Sequence, residues 1–115
     1  MKPQKVKYML MAQNMKRAVY FYTKILGFEL SFESEFWTEL RFEDTTVALH
    51  GGWNGGRYPT GLSIQYLSVD KIYREVIEWG ARKVQEPQSS PGEPVKIAKI
   101  RDPEGNEIML TEYTG

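Results

Sequence analysis

Two stretches of helical periodicity, each preceded by a strand-like segment and closed by a glycine, constrain this chain more than any other feature. After Asn14, a good N-cap, Met15, Ala18, Val19, Tyr22, Ile25 and Leu26 recur at helical spacing until Gly27. After Asp70, read as the second cap, Ile72, Tyr73, Val76 and Ile77 form a shorter stripe that ends at Gly80. Ahead of the first helix, Val6, Tyr8, Leu10 and Ala12 alternate with Lys7, Met9 and Met11, the period of a strand with one face on a core. Leu62 to Val69 plays the same part ahead of the second helix. Behind the first helix, FELSFESE, FWTELRF and TVALH are rich in aromatic and β-branched residues and predict three strands. Behind the second come a short strand around Lys83 to Glu86, a strand from Val95 to Arg101, a turn over Asp102 to Asn106 and a last strand from Glu107 to Tyr113. Both halves spell β-α-β-β-β, a unit of about 50 residues used twice with little residue identity.

A length of 115 residues fits one domain, 1–115, with half-modules at about 5–51 and 61–113. Lys+Arg and Asp+Glu both number 15, which removes the electrostatic basis for non-specific binding to nucleic acid or an anionic membrane. Small molecules and proteins remain as partners. The absence of cysteine excludes a disulfide framework, a thiolate nucleophile and thiolate metal sites. No apolar run approaches the roughly 18 residues of a membrane span, and the start carries no signal-peptide cleavage pattern. The chain is therefore expected to be mature as written, with the cytoplasm as its default location. Gly51 to Pro59 is read as a connector between the halves. It leads into a strand and lacks the Gly-Lys-Ser/Thr step of a phosphate-cradling loop. Gln85 to Pro94 is expected to be a second exposed loop bordering a pocket.

Three motifs in this order resemble the vicinal-oxygen-chelate superfamily of glyoxalases, extradiol dioxygenases and bleomycin- and fosfomycin-resistance proteins. They are Asn14 to Phe28, with two aromatics in the helix followed by Leu-Gly-Phe, Ser68-Val69-Asp70 at the second helix, and Asp102-Pro-Glu-Gly-Asn-Glu-Ile-Met-Leu110. The resemblance spans about residues 6–113. It implies an α+β domain whose two βαβββ modules form curved mixed sheets around an open groove, and pairing into a homodimer.

Metal-dependent members place His, Glu or Gln on the first and last strand of each module. Counting from the motifs puts Lys7, Leu49, Ile64 and Met109 at those positions, or His50 in place of Leu49 if the register slips by one. Lys7 is a protonated ammonium, Leu49 and Ile64 carry no donor atom, and a thioether suits soft copper(I). The expectation is no metal and no other cofactor. The competing possibility rebuilds a site from His50, Glu39 and Gln65, which requires local bulges to bring His50 and Gln65 to the groove. His50, the only histidine, has two further readings: a strand-end residue bonded near Gly51 and Gly52, or a general base, since imidazoles exchange protons near neutrality. No Ser or Asp stands at a motif spacing that would build a nucleophilic triad around it.

Face parity then selects the groove. With Tyr8, Leu10, Leu67, Val69, Ile108 and Leu110 covering the helices, Lys7, Met9, Met11, Ile64, Tyr66, Ser68, Met109, Thr111 and Tyr113 are expected on the concave side. Trp37, Glu39 and Arg41 join them from the meander, and Lys99 and Arg101 from the penultimate strand. The ligand-contacting candidates are thus Lys7, Met9, Trp37, Glu39, His50, Tyr66, Lys99, Arg101 and Met109. Each has the plainer alternative of ordinary core, dimer interface or cross-strand pair. Aromatics, methionines and a few fixed charges suit a planar, partly apolar small molecule. The leading function is a metal-independent small-molecule binder of the sequestering or resistance type. Its rivals are a lyase, isomerase or dioxygenase with an altered ligand set, and a non-catalytic interaction domain.

Overall fold

A computed structural model describes residues 1–115 and puts the repeat into three dimensions. The first module comprises β1 (Lys7–Met11), α1 (Met15–Tyr20) continued by a π-helical stretch (Phe21–Ile25), β2 (Glu29–Phe32), β3 (Trp37–Phe42) and β4 (Thr45–His50). The second comprises β5 (Tyr58–Gln65), α2 (Val69–Glu78), β6 (Arg82–Ser89), β7 (Val95–Arg101) and β8 (Asn106–Tyr113). Each forms a four-stranded mixed sheet, ordered β1-β4-β3-β2 and β5-β8-β7-β6, in which only the first and last strands run parallel. The result is an α+β fold of two βαβββ modules. No helix is long and apolar enough to cross a membrane.

One face of each sheet and both helices share a single apolar core. Leu10, Leu40, Val47 and Leu49 enter from the first sheet, Ala98, Ile100, Ile108 and Leu110 from the second, and Ala18, Phe21, Tyr22, Ile72 and Val76 from the helices. Asn14 caps α1 as expected, its Oδ1 accepting from the Arg17 N–H at 3.1 Å. The first helix departs from a regular α-helix at Phe21, where i→i+5 bonding adds a residue to the turn. Consecutive Phe21 and Tyr22 are both buried, at 2% and 0% exposure, and Tyr22 is aimed at the second module.

The second module corrects four expectations. Strand β5 stops at Gln65, and Ser68, not Asp70, caps α2 by accepting from the Lys71 N–H at 3.2 Å. Val69 is then a buried helix residue, Asp70 sits in the first turn, where a carboxylate favours the helix dipole, and Leu67 is fully exposed. On β5 itself Leu62 belongs to the core, and Ile64 and Tyr66 pack against it, so Ser63 and Gln65 hold the opposite face. Strand β6 runs Arg82–Ser89, longer than the short strand expected, and consumes half of the supposed Gln85–Pro94 loop. As an edge strand with two register shifts it tolerates Pro87.

The turn Asp102 to Asn106 is the clamp between the modules. Asp102 is buried and accepts from Tyr22 Oη at 2.5 Å, Asn106 Nδ2 at 2.8 Å, and the Glu104 and Asn106 N–H groups at 2.9 Å each. Asn106 extends the pairing to β1, accepting from Met11 N and donating to Met11 O at 2.9 and 2.7 Å. Gly105 has φ 108°, and a Cβ there would collide with the carbonyl oxygen of Gly56, so the glycine-rich connector lies directly against this turn.

Candidate functional site

The faces turned away from the helices carry the candidate site. Strand register settles which side chains share them. On the first sheet Met9 stands opposite Ala48, Met11 and Trp37 opposite His50, and Glu39 opposite Ala48. Lys7, Met9, Trp37, Glu39 and His50 therefore lie on one face of adjacent strands, brought there by the alternation of β1, β3 and β4.

Glu39 organises that face. Its Oε1 accepts from Lys5 Nζ at 2.9 Å, and its Oε2 from Lys7 Nζ at 2.8 Å and Trp37 Nε1 at 2.9 Å. The ammonium of Lys7 also lies 5.6 Å from the Trp37 ring centroid, within cation–π range. These contacts, Lys7 first, then Trp37 and Lys5, hold the Glu39 carboxyl down to about 2. Lys5 is the member of this cluster that the sequence reading missed. It precedes the strand, but its two-residue offset from Lys7 was the available signal. His50 donates through Nδ1 to the Gly51 carbonyl at 2.8 Å, because a carbonyl only accepts, and its Nε2 has no hydrogen-bond partner in the chain. Its ring meets Trp37 edge-on at 6.1 Å.

On the second sheet, Lys99 stands opposite Met109 and Arg101 opposite Glu107, while Ser63 is the β5 neighbour of Met109. A cleft of about 250 Å³ opens here, with Arg57, Ser63, Lys99, Glu107 and Met109 in its lining. A second cleft, of about 440 Å³, lies over the seam between the sheets and includes Lys7, Met9 and Gly61. Gly61 is the point of closest approach there, since a Cβ would sit 2.7 Å from Tyr8 Oη. Of the nine side chains selected from sequence, five thus share the first face and three, Lys99, Arg101 and Met109, share the second. Tyr66 is the exception: its hydroxyl donates to the Leu26 carbonyl at 2.6 Å on the helix side. Burial raises its phenol above the ordinary tyrosine value. Ser63 was missed because the parity assigned to β5 was inverted, and the Arg57–Glu107 ion pair because it joins the connector to β8, a contact that no strand period encodes.

The positions implied for a divalent ion do not supply a donor set. Leu49 is fully buried in the core, so the count that put it in the groove is corrected: His50 holds that face through an unbroken β1-β4-β3 register, without a bulge. Ile64 packs against the core, Lys7 is bound to Glu39, and Met109 offers a thioether. Around the alternative trio, Glu39 has both oxygens committed to Lys5, Lys7 and Trp37, and Gln65 belongs to the other sheet. No group of three or more His, Cys, Asp or Glu side chains converges anywhere in the chain.

Comparison with known proteins gives the same architecture. The family model of the glyoxalase/bleomycin resistance protein/dioxygenase superfamily matches residues 6–110. No curated protein matches the sequence. Among solved structures, a superfamily enzyme from Burkholderia phytofirmans PsJN superposes with a TM-score of 0.77 at 16% identity, covering 93% of this chain and 96% of that one. The protein SA1046 from S. aureus gives 0.79 at 23% identity, covering 97% and 95%. TnmS3, described as an antibiotic binding protein from Streptomyces sp. CB03234, gives 0.74 at 21% identity, covering 97% of each chain. The chain belongs to the glyoxalase/bleomycin resistance protein/dioxygenase superfamily.

Proposed function

We propose that this protein binds a small, partly apolar molecule against its concave sheet faces without a divalent metal, as a sequestering or resistance-type binder. The observation that carries this reading is the Lys7–Glu39 contact at 2.8 Å: a resident ammonium already neutralises the carboxylate that stands among Lys7, Met9 and Trp37. Around it Met9, Trp37 and, across the seam, Met109 offer polarizable and aromatic surface suited to a planar body. The description of TnmS3 as an antibiotic binder points in the same direction. A thermal-shift screen of aromatic antibiotics and metabolites, run with and without Ni, Zn, Mn and Mg salts, tests the proposal. Stabilisation by organic compounds but not by the metal salts is the expected outcome, and the reverse pattern would refute it.

His50 favours one second reading, a metal-dependent lyase, isomerase or dioxygenase with an altered ligand set, since its Nε2 is unbonded beside Trp37. We also propose a homodimer. Phe32, Phe36 and Phe42 are 55%, 71% and 58% exposed near the free edge of the first sheet, and both concave faces stand open in a single chain. Light scattering that gave a monomer mass at micromolar concentration would remove that claim.

A further inference from the structure

Cations on the concave faces fall into two groups. Lys5 and Lys7 close on Glu39, and Arg57 closes on Glu107. Lys99 and Arg101 take part in none of the chain's seven ion pairs. Arg101 goes further, because its Nε is buried and has no hydrogen-bond partner. The covered Nε is out of a ligand's direct reach, so an acceptor that the protein itself does not provide is met by the outer nitrogens of the guanidinium, which have no partner in the chain either.

The surroundings sharpen the point. Lys99 and Arg101 are two residues apart on one face of β7, about 7 Å along the strand. Arg82 of β6 stands directly opposite Arg101, a like-charge cross-strand pair that destabilises the free sheet. Glu107, the carboxylate opposite Arg101 on the other side, already receives Arg57. The patch is therefore cationic in excess, beside the apolar Met109 and Ile97 and the hydroxyl of Ser63.

We propose that this patch takes the carboxylate of a small ligand between Lys99 and Arg101, with the ligand's apolar body against Met109 and Ile97. A carboxylate only accepts hydrogen bonds, which matches an ammonium, a guanidinium and a hydroxyl around it. A single negative charge fits better than two, because Glu107 repels a second. The cleft of about 250 Å³ includes Lys99, Ser63 and Met109 in its lining, with Arg101 two residues further along β7 and outside it, and has room for a small acid or the acidic end of a larger molecule. This rests on the reading that the groove binds a small molecule and adds the ligand's charge class. It also moves the anion site away from Lys7, whose charge Glu39 has taken.

Calorimetric titration of the full chain with 2-naphthoate and with its neutral amide, 2-naphthamide, tests the proposal. The acid is expected to bind about tenfold more tightly than the amide, one charge-assisted contact's worth, with the preference shrinking as salt is raised. That preference is expected to vanish in Lys99→Gln/Arg101→Gln and to persist in Lys16→Gln/Lys71→Gln, an equal charge change on the exposed sides of α1 and α2. Thermal melts of each variant check that it is folded, and the single variants Lys99→Gln and Arg101→Gln serve if the double one is not. Equal affinity for acid and amide would overturn the anion site while sparing the small-molecule groove, as would a preference that survives the double substitution. No binding of either compound at millimolar concentration would overturn both.

Discussion

Glu104 and Arg17 are 87 residues apart in the chain and meet at 2.7 Å, which ties the last turn of the second module to the first helix. Glu104 is fully buried, and its Oε1 also accepts from the Gln13 and Asn14 N–H groups at 2.8 and 2.7 Å. The ion pair holds the Arg17 guanidinium above its ordinary value. Glu104→Ala strands two backbone donors and a guanidinium, and is expected to cost about 3–5 kcal/mol. Glu104→Gln keeps one acceptor and is expected to cost about 1–3 kcal/mol. Urea unfolding with an unchanged m-value checks both.

Asp102 faces four donors and presents only acceptors. Burial raises its carboxyl, and the bonds from Tyr22 and Asn106 work against that rise. Asp102→Asn turns an NH₂ towards at least one of these donors. The Tyr22 hydroxyl is able to rotate and accept, but a backbone N–H or the Asn106 amide NH₂ is not. The expected loss is about 1–3 kcal/mol, read as a lower urea midpoint, even though the substitution removes a buried charge.

For Glu39 the pH dependence has a definite sign. Its carboxyl is lowered from 4.5 to about 2 in the fold, so its contribution is complete above the unfolded value and is lost as pH falls through that window. The lysine partners are 40–50% exposed, so solvent screens much of the effect. Glu39→Gln is expected to cost about 1 kcal/mol at neutral pH, and the two proteins are expected to converge in stability as pH approaches 2. Parallel acid titrations followed by circular dichroism measure this. A constant gap down to that pH would contradict it.

Tyr66→Phe separates the corrected position from the expected one. Losing the bond to the Leu26 carbonyl is expected to lower stability by about 1 kcal/mol. Affinity for 2-naphthoate is expected to stay unchanged, because the side chain lies on the helix side. A clear loss of affinity with stability intact would return Tyr66 to the groove.

Where local chemistry determines structure, the sequence was readable. Asn14, Gly27 and Gly80 bound both helices because capping and left-handed backbone are properties of single residues. The groove face of β1 and β3 was legible from strand parity, but on β4 the apolar run Val47-Ala48-Leu49 hides the period, and the count that put Leu49 in the groove was off by one residue from His50. Around Ile64 to Val69 apolar residues occupy both parities, and only the Ser68 cap, one turn away, decides where strand gives way to helix. The π-helical stretch and the Glu104 clamp were illegible for a different reason. Both depend on contacts between modules that no local pattern encodes.

The central claim, a small-molecule groove that works without a divalent ion, is tested most directly by titrating 2-naphthoate into protein purified without a histidine tag, before and after dialysis against a mild chelator, with metal content read on the same samples. The account predicts metal far below stoichiometric in both samples and the same affinity in both. One ion per chain surviving dialysis, lost together with binding in His50→Ala, would contradict it and establish the metal-dependent reading built on His50.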